Sequence, residues 1–358
     1  MIPYFIFLAS VMLICWLTFR RGKISVWGLI ILFFVMTLFA GLRSASVGTD
    51  SRGYANTFET GRFERHEIAP GLAGLADEPA FYFLEKWLSG LSQDYAVLFI
   101  GIAAIFCFFV LWSIGKNSRQ AVFSLFVFIT LGYYTFVFNA ARQGLALAIY
   151  MMSIPSLMKR KFWQYAAIVL VAAMFHKTII VAIPLYFVFT MRYSFLSVSL
   201  IIIGGLLIGW FLPILLEYSA GMEKRYELYL YGEAVGGYLL TAFYVILAGF
   251  FIYERQFIRK AALKEYDVFL HMLIIGSAIY LVVSLSGAYV ELTRFAAYFQ
   301  IGVIFLWAEL AVNRRHKLPS LIYAVAIVGH LAYFVLYLSK LANLTPYTLN
   351  PFATNVIF

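Results

Sequence analysis

Arg142 stands inside a long apolar run, in Asn139-Ala140-Ala141-Arg142-Gln143-Gly144, with no acid near it in sequence. Asparagine is a helix-capping residue type, so the spacing predicts a helix capped by Asn139 whose third residue is the arginine. A capped helix start offers backbone N–H groups and the positive end of the dipole, and a guanidinium adds a bidentate fork. These are the parts of a phosphate site. Similar parts recur at three other places. Arg43 directly follows an apolar run in Gly41-Leu42-Arg43-Ser44-Ala45-Ser46-Val47-Gly48-Thr49-Asp50, where glycines and small polar residues suit a loop that folds close to a ligand. His176 and Lys177 precede Thr178, near which another helix is expected to begin. Glu291 and Arg294 are spaced to meet on one helical face. Singly, each has a plainer reading: snorkelling for Arg43, neutralisation of Glu291 for Arg294, a satisfied turn histidine for His176. Jointly, three arginines and a histidine have the composition of a polyanion site.

Acid–base candidates share the stretch that follows Arg43. Asp50, Asp77 and Glu78 can each take a proton from a hydroxyl if desolvated beside it, whereas Glu59, Glu64 and Glu67 read as solvated. Tyr54 and Tyr82 offer stacking surfaces, although aromatic belts at membrane interfaces account for most such residues. Metal ligation is poorly served, because there is no His/Cys cluster and Asp50-Ser51-Arg52 puts a cation where a second carboxylate would be needed. There is no nucleotide-binding glycine loop and no Gly-x-Ser-x-Gly elbow.

The elements that must carry these groups follow from composition. Of 358 residues, 63% are hydrophobic and 12% charged, against about a quarter charged in a soluble domain. Such a chain is a polytopic membrane protein, which excludes soluble enzymes, nucleic-acid modules and disulfide scaffolds. Cys15 and Cys107 both sit in apolar runs and do not suggest a structural disulfide. Ten runs bounded by charge are long enough to cross a bilayer: Ile2 to Phe19, Ile24 to Leu42, Tyr95 to Ile114, Gln120 to Phe138, Arg142 to Met158, Phe195 to Leu216, Tyr238 to Tyr253, Tyr266 to Ser286, Leu292 to Val312 and Leu318 to Leu338. The first lacks a basic leader and a cleavage site, so it is expected to be retained.

The stretch Phe162 to Met191 carries His176 and Lys177 at its middle, and parity decides its course. Lys159-Arg160-Lys161 and the cluster Arg255, Arg259, Lys260 and Lys264 should both face the cytoplasm, so the chain between them crosses an even number of times. Phe162 to Met191 is then two short helices or a re-entrant pair turning on the outer side. The expected fold is all-α, with about twelve transmembrane or half-spanning helices and both termini outside. On this count 16 of the 27 Lys and Arg are cytoplasmic, while 13 of the 17 acids are outside. Arg20-Arg21 and Arg314-Arg315-His316-Lys317 are topology signals. The two longest polar segments, Arg43 to Asp94 and Glu217 to Gly237, fall on the same outer side. Pro79 to Leu91 reads as an amphipathic surface helix with Ala80, Phe81, Leu84, Trp87, Leu88 and Leu91 on its apolar face. No internal repeat or soluble domain is visible, so the chain reads as one membrane domain.

The run Arg43 to Tyr54, then Glu78-Pro79-Ala80-Phe81-Tyr82, Asn139 to Gly144, Phe175-His176-Lys177-Thr178, Glu291 to Phe295 and Pro346-Tyr347 resemble, in that order, the pattern of the EpsG family of Wzy-type polymerases of bacterial surface polysaccharide such as O-antigen. The resemblance spans nearly the whole chain. It implies a GT-C-like glycosyltransferase of the bacterial inner membrane that works on the periplasmic face. Repeat units linked to undecaprenyl diphosphate would be both donor and acceptor, with membrane lipid around them and undecaprenyl diphosphate released. It also implies a chain-length regulator as partner, no nucleic acid and no cofactor or metal. Arg142 and Arg294, with Arg43 assisting, would hold the donor diphosphate and stabilise its developing charge. His176 would donate to that leaving group or act as base. Asp50 and Glu78 would activate or orient the acceptor hydroxyl, with Glu78 preferred for its glutamate–proline motif. Tyr54, Asn139, Gln143, Lys177, Glu291 and Tyr347 would position the sugars.

Two other activities share this chemistry. An O-antigen ligase uses the same donor but usually has a larger periplasmic loop than Arg43 to Asp94. A flippase for lipid-linked oligosaccharides needs charges along a path open to both sides, and often has two related halves.

Overall fold

The computed structural model describes residues 1–20, 23–65, 78–205, 237–286, 290–317 and 319–351. The loop expected at Glu217 to Gly237, apart from its last residue, lies outside them, as do Glu67, Asp77 and the Glu64 and Glu291 side chains. Among the described residues the regular secondary structure is helical apart from a two-residue antiparallel pairing, Phe19–Arg20 with Lys23–Ile24, and two isolated bridges. Six helices among the described residues are long and apolar enough to cross a membrane: Tyr95–Asn117, Ala121–Asn139, Gly237–Phe257, Lys260–Leu285, Thr293–Asn313 and Ser320–Leu341. Ile2–Thr18, Val26–Gly41, Phe162–Ala173, Lys177–Phe189 and Phe195–Gly205 are shorter apolar helices. The chain is therefore an all-α, multi-pass membrane protein.

Contacts gather the chain into two compact units. The first comprises Met1–Ser156, Phe162–Ile180 and Leu318–Phe358. Its helices are α1 (Ile2–Thr18), α2 (Val26–Gly41), α3 (Ser51–Glu59), α4 (Pro79–Ser89), α5 (Tyr95–Asn117), α6 (Ala121–Thr130), α7 (Tyr133–Asn139), α8 (Ala141–Met151), α9 (Ile154–Met158), α10 (Phe162–Ala173) and, near the C-terminus, Ser320–Leu336. Side-chain caps start two of them, Ser25 Oγ accepting from the Gly28 amide and Asp94 Oδ1 from the Ala96 amide.

The run expected as one span from Arg142 to Met158 is broken after Met151. Pro155 lacks an N–H, and its ring would meet the carbonyl of residue 151 four positions back. The run from Gln120 to Phe138 is likewise divided, at Gly132, whose φ of +82° ends one helix before the next begins. The helix α8 is buried on nearly every side, with Leu145, Ala146, Leu147, Ala148 and Met151 at 0% exposure, and it packs against α5, α7 and α10. It is a core helix, and Arg142 at its start is the one half-exposed position. Phe162 to Met191 forms a helix on either side of a turn at Met174–His176, a feature that both expected courses share.

The polar stretch after α2 holds a helix that the sequence pattern did not suggest, α3, which buries Ser51, Ala55 and Phe58, and both α3 and α4 lie on α5. On α4 the buried face is Phe81, Leu84, Glu85 and Leu88, while Trp87 and Leu91 of the expected stripe are both 66% exposed, beside Phe83. The C-terminal segment returns to the start of the stretch. Arg43 pairs with Leu349, the Ser44 amide donates to the Thr348 carbonyl and the Gly48 amide to the Asn343 carbonyl.

The second unit comprises Leu157–Lys161 and Val181–Lys317. Its helix Gly237–Glu254 packs along Leu263–Ser286, and basic residues assigned to topology are paired there: Arg255 forks onto Asp267 at 2.6 and 2.9 Å, and Arg314 Nε meets Glu254 at 2.7 Å.

Gly48 has a φ of +105°, and a Cβ there would stand 2.7 Å from both the Asn139 Oδ1 and the Phe138 carbonyl oxygen. Gly48→Ala should therefore lower thermal stability in detergent by roughly 1–3 kcal/mol. Gly53→Ala, on α3 with open space at its Cβ, should be neutral or slightly stabilising. Equal melting of the two variants would contradict this packing.

Candidate functional site

Glu78 is the point at which three distant segments meet. Its carboxylate Oε2 accepts from Arg142 Nη1 at 3.0 Å, and Oε1 accepts from the Lys177 backbone amide at 3.3 Å. His176 Nδ1 lies 2.6 Å from Oε1. The backbone follows the same route, the Ala80 amide donating to the Met174 carbonyl at 3.0 Å. Glu78 itself is left-handed, φ 55° and ψ 55°, at the N-cap of α4 with Pro79 behind it. A non-glycine residue there costs on the order of 1–3 kcal/mol and persists only where its surroundings over-determine it.

The exposures divide the roles. The Glu78 side chain is 5% exposed, Arg142 40% and His176 25%, so the carboxylate is interior while the arginine and the histidine keep a face outward. Burial alone would raise the Glu78 carboxyl; the His176 imidazole and Arg142 guanidinium outweigh it and hold the carboxyl at about 2. Tyr54 and Phe81 complete the surroundings of Arg142. Their ring centroids lie 6.0 and 5.0 Å from its guanidinium carbon, and the Tyr54 hydroxyl accepts from the Arg142 backbone amide. Asp50, partly exposed at the start of α3, bears electrostatically on the same phenol.

The EpsG family model matches residues 26–349. The chain belongs to the EpsG family. These are membrane proteins like the Wzy-type polymerases, so a polysaccharide-polymerase-like role and glycosyltransferase-like chemistry go with membership. No curated protein and no solved structure gives a significant match.

Other residues of the EpsG pattern are placed differently from the sequence reading. Asn139 does not cap α8: it ends α7, its Oδ1 accepts from the Thr49 amide and its Nδ2 donates to the Ala342 carbonyl, while Ala140 stands at the cap position. The turn to Ala140 (φ −151°) puts the asparagine on the preceding helix, where it ties the Gly48–Thr49 loop to the C-terminal segment. The helix expected near Thr178 is present as Lys177–Phe189, but its first turn, Lys177–Val181, is 3-10, and the Lys177 amide serves Glu78.

Arg43 is enclosed at 3% exposure. Its guanidinium carbon lies between the Phe99 and Phe138 rings, 4.1 and 4.2 Å from their centroids, and its donors go to the Ala40 carbonyl and Ser51 Oγ. Burial lowers its pKa to about 10, leaving it a cation at neutral pH. It is a structural cation and has no face left for a diphosphate. Tyr347 stacks on Phe39 at 4.5 Å and donates to the Phe39 carbonyl, an anchor for the C-terminal segment. Gln143 is buried at 6% on α8. Arg294 belongs to the second unit, half-buried in the 3-10 turn Val290–Ala296.

Sequence reading passed over Glu85, which the structure buries on α4 with Phe81 and Leu84. The signal was a carboxylate two helical turns from Glu78, within the apolar face.

Because the Glu78 carboxyl is held below its ordinary value, the stability it contributes is present above about pH 4.5 and is lost as pH falls toward about 2. Glu78→Gln should lower stability by roughly 1–3 kcal/mol at neutral pH, and the gap to wild type should close in acid. Thermal melts across pH check this; a gap equally wide at the acid end would count against it.

Proposed function

We propose that this EpsG-family protein polymerises undecaprenyl-diphosphate-linked oligosaccharide units into O-antigen or a similar surface polysaccharide. It does so on the periplasmic face of the bacterial inner membrane, in a GT-C-like fold of about twelve crossings. The observation that carries the reading is Arg142, 40% exposed and fixed from behind by Glu78, in a chain matched to the family over residues 26–349. A guanidinium held at one end and open at the other is suited to a diphosphate leaving group, whose charge grows as the glycosyl bond breaks.

In this reading Arg142 binds the donor diphosphate and His176, on the same carboxylate, donates to it, while Lys177 adds positive charge. Asp50 and Tyr54 flank the acceptor. Glu78, spent on cations, positions Arg142 and His176. A preorganised cation of this kind accounts for about a hundred-fold or more in rate.

A deletion strain complemented with wild type or Arg142→Ala, with expression checked, tests the reading through its surface-polysaccharide ladder. The deletion should leave core bearing a single repeat, wild type should restore the ladder, and Arg142→Ala should fail to. Loss of even the single repeat in the deletion would point to a ligase or flippase instead.

A further inference from the structure

Glu85 lies two turns beyond Glu78 on α4 and is 3% exposed, and its Oε1 has no hydrogen-bond partner among the described residues. An ionised carboxylate left in that state is costly, so the site favours the protonated form. Burial pushes the Glu85 carboxyl up to about 7, with Arg142 pulling against it. Among the described side chains, the other charges on the elements packed around α4 are engaged elsewhere or turned outward. Arg62 on the neighbouring 3-10 turn is exposed, Lys86 is directed toward the Tyr82 ring, and Asp94 at the start of α5 caps the Ala96 amide. Arg142 reaches the same helix face over Phe81, 5.0 Å from its centroid, and Phe81 is one turn before Glu85.

One helix therefore offers Arg142 two carboxyls in opposite conditions. Glu78 is met by donors and stays ionised; Glu85 is buried with one oxygen unpartnered and exchanges its proton near neutrality. Environments that drive two carboxyls apart in this way separate an electrostatic anchor from a proton carrier.

Resting on the polymerase reading above, we propose that Glu85 is the proton acceptor for the attacking hydroxyl of the acceptor sugar, and that Glu78 is a positioning residue that holds Arg142. In the step, the hydroxyl oxygen bonds to the donor's anomeric carbon as its proton passes to the Glu85 carboxylate. The bond from that carbon to the diphosphate oxygen breaks, and its electron pair leaves with the diphosphate, where Arg142 meets the charge. Glu85 then returns its proton to water, so one glycosidic bond replaces one glycosyl phosphate bond.

The test uses the full chain in lipid nanodiscs with a polyprenyl-diphosphate-linked repeat unit, polymer length being followed across pH. Wild type should show activity rising through a limb near pH 7. Glu85→Gln should lose roughly a hundred-fold or more while still retaining the lipid-linked unit in a binding assay. Glu85→Asp should keep a reduced rate with its limb displaced. A folded Gln variant at the wild-type rate overturns the proposal. Should the Gln variant fail to fold, the Asp variant decides, since a limb left where wild type has it overturns the proposal equally. A wild type that makes no polymer from this substrate at any pH sinks the polymerase reading itself, whereas an active wild type with an equally active Gln variant sinks the role of Glu85 alone.

Discussion

A carboxylate only 5% exposed must be met by donors on every side or give up its charge, and Glu78 is met by donors from residues 64 and 99 positions away. That requirement brings the start of α8 and the turn after α10 to the start of α4. It also explains a left-handed backbone at a glutamate followed by proline, a conformation the surroundings impose. Remove the charge and each segment loses its reason to be there: the Arg142 fork loses its rear partner, the Lys177 amide its acceptor and the His176 imidazole its close contact.

The two arginines of the first unit show how position alone divides one residue type into two functions. Arg43 has no carboxylate; aromatic faces above and below it, with a carbonyl and a hydroxyl, take up its charge, and nothing of it remains for a ligand. It holds the end of α2 to α3 through Ser51, next to the returning C-terminal segment. Arg142 has a carboxylate behind it and an open face ahead. Only the second arrangement leaves a cation that an incoming anion can use. Asn139 and Gly48 serve the first arrangement too, locking the loop from Arg43 to Asp50 against α7 and the chain's end.

Much of this was legible in the residues. Apolar runs bounded by charge marked the helices, because in lipid a single continuous apolar run satisfies its own backbone only as a helix. The motifs at Glu78, Arg142 and His176 singled out three residues that the fold does join. What escaped was whatever depends on partners distant in sequence. Asn139 looked like a cap because a cap is local, but its acceptor and donor are spent on residues 49 and 342. Arg43 looked like a ligand-binding cation because nothing in the sequence announces that Phe99 and Phe138 will enclose it. Glu85 was hidden by its own helix, since a single carboxylate in an amphipathic pattern reads as a surface residue until the face that it shares is seen to be inward. Breaks at Gly132 and Pro155 were written plainly enough in residue type, and the length of the apolar runs obscured them.

The dependence of Arg142 on Glu78 is measured most directly by a double-mutant cycle on thermal stability, using Glu78→Gln and Arg142→Met in the full-length protein at neutral pH. The two single losses should exceed the double loss, giving a coupling of about 1 kcal/mol or more. Strict additivity would mean that the carboxylate does not hold the arginine, and the site built on that contact would fall with it.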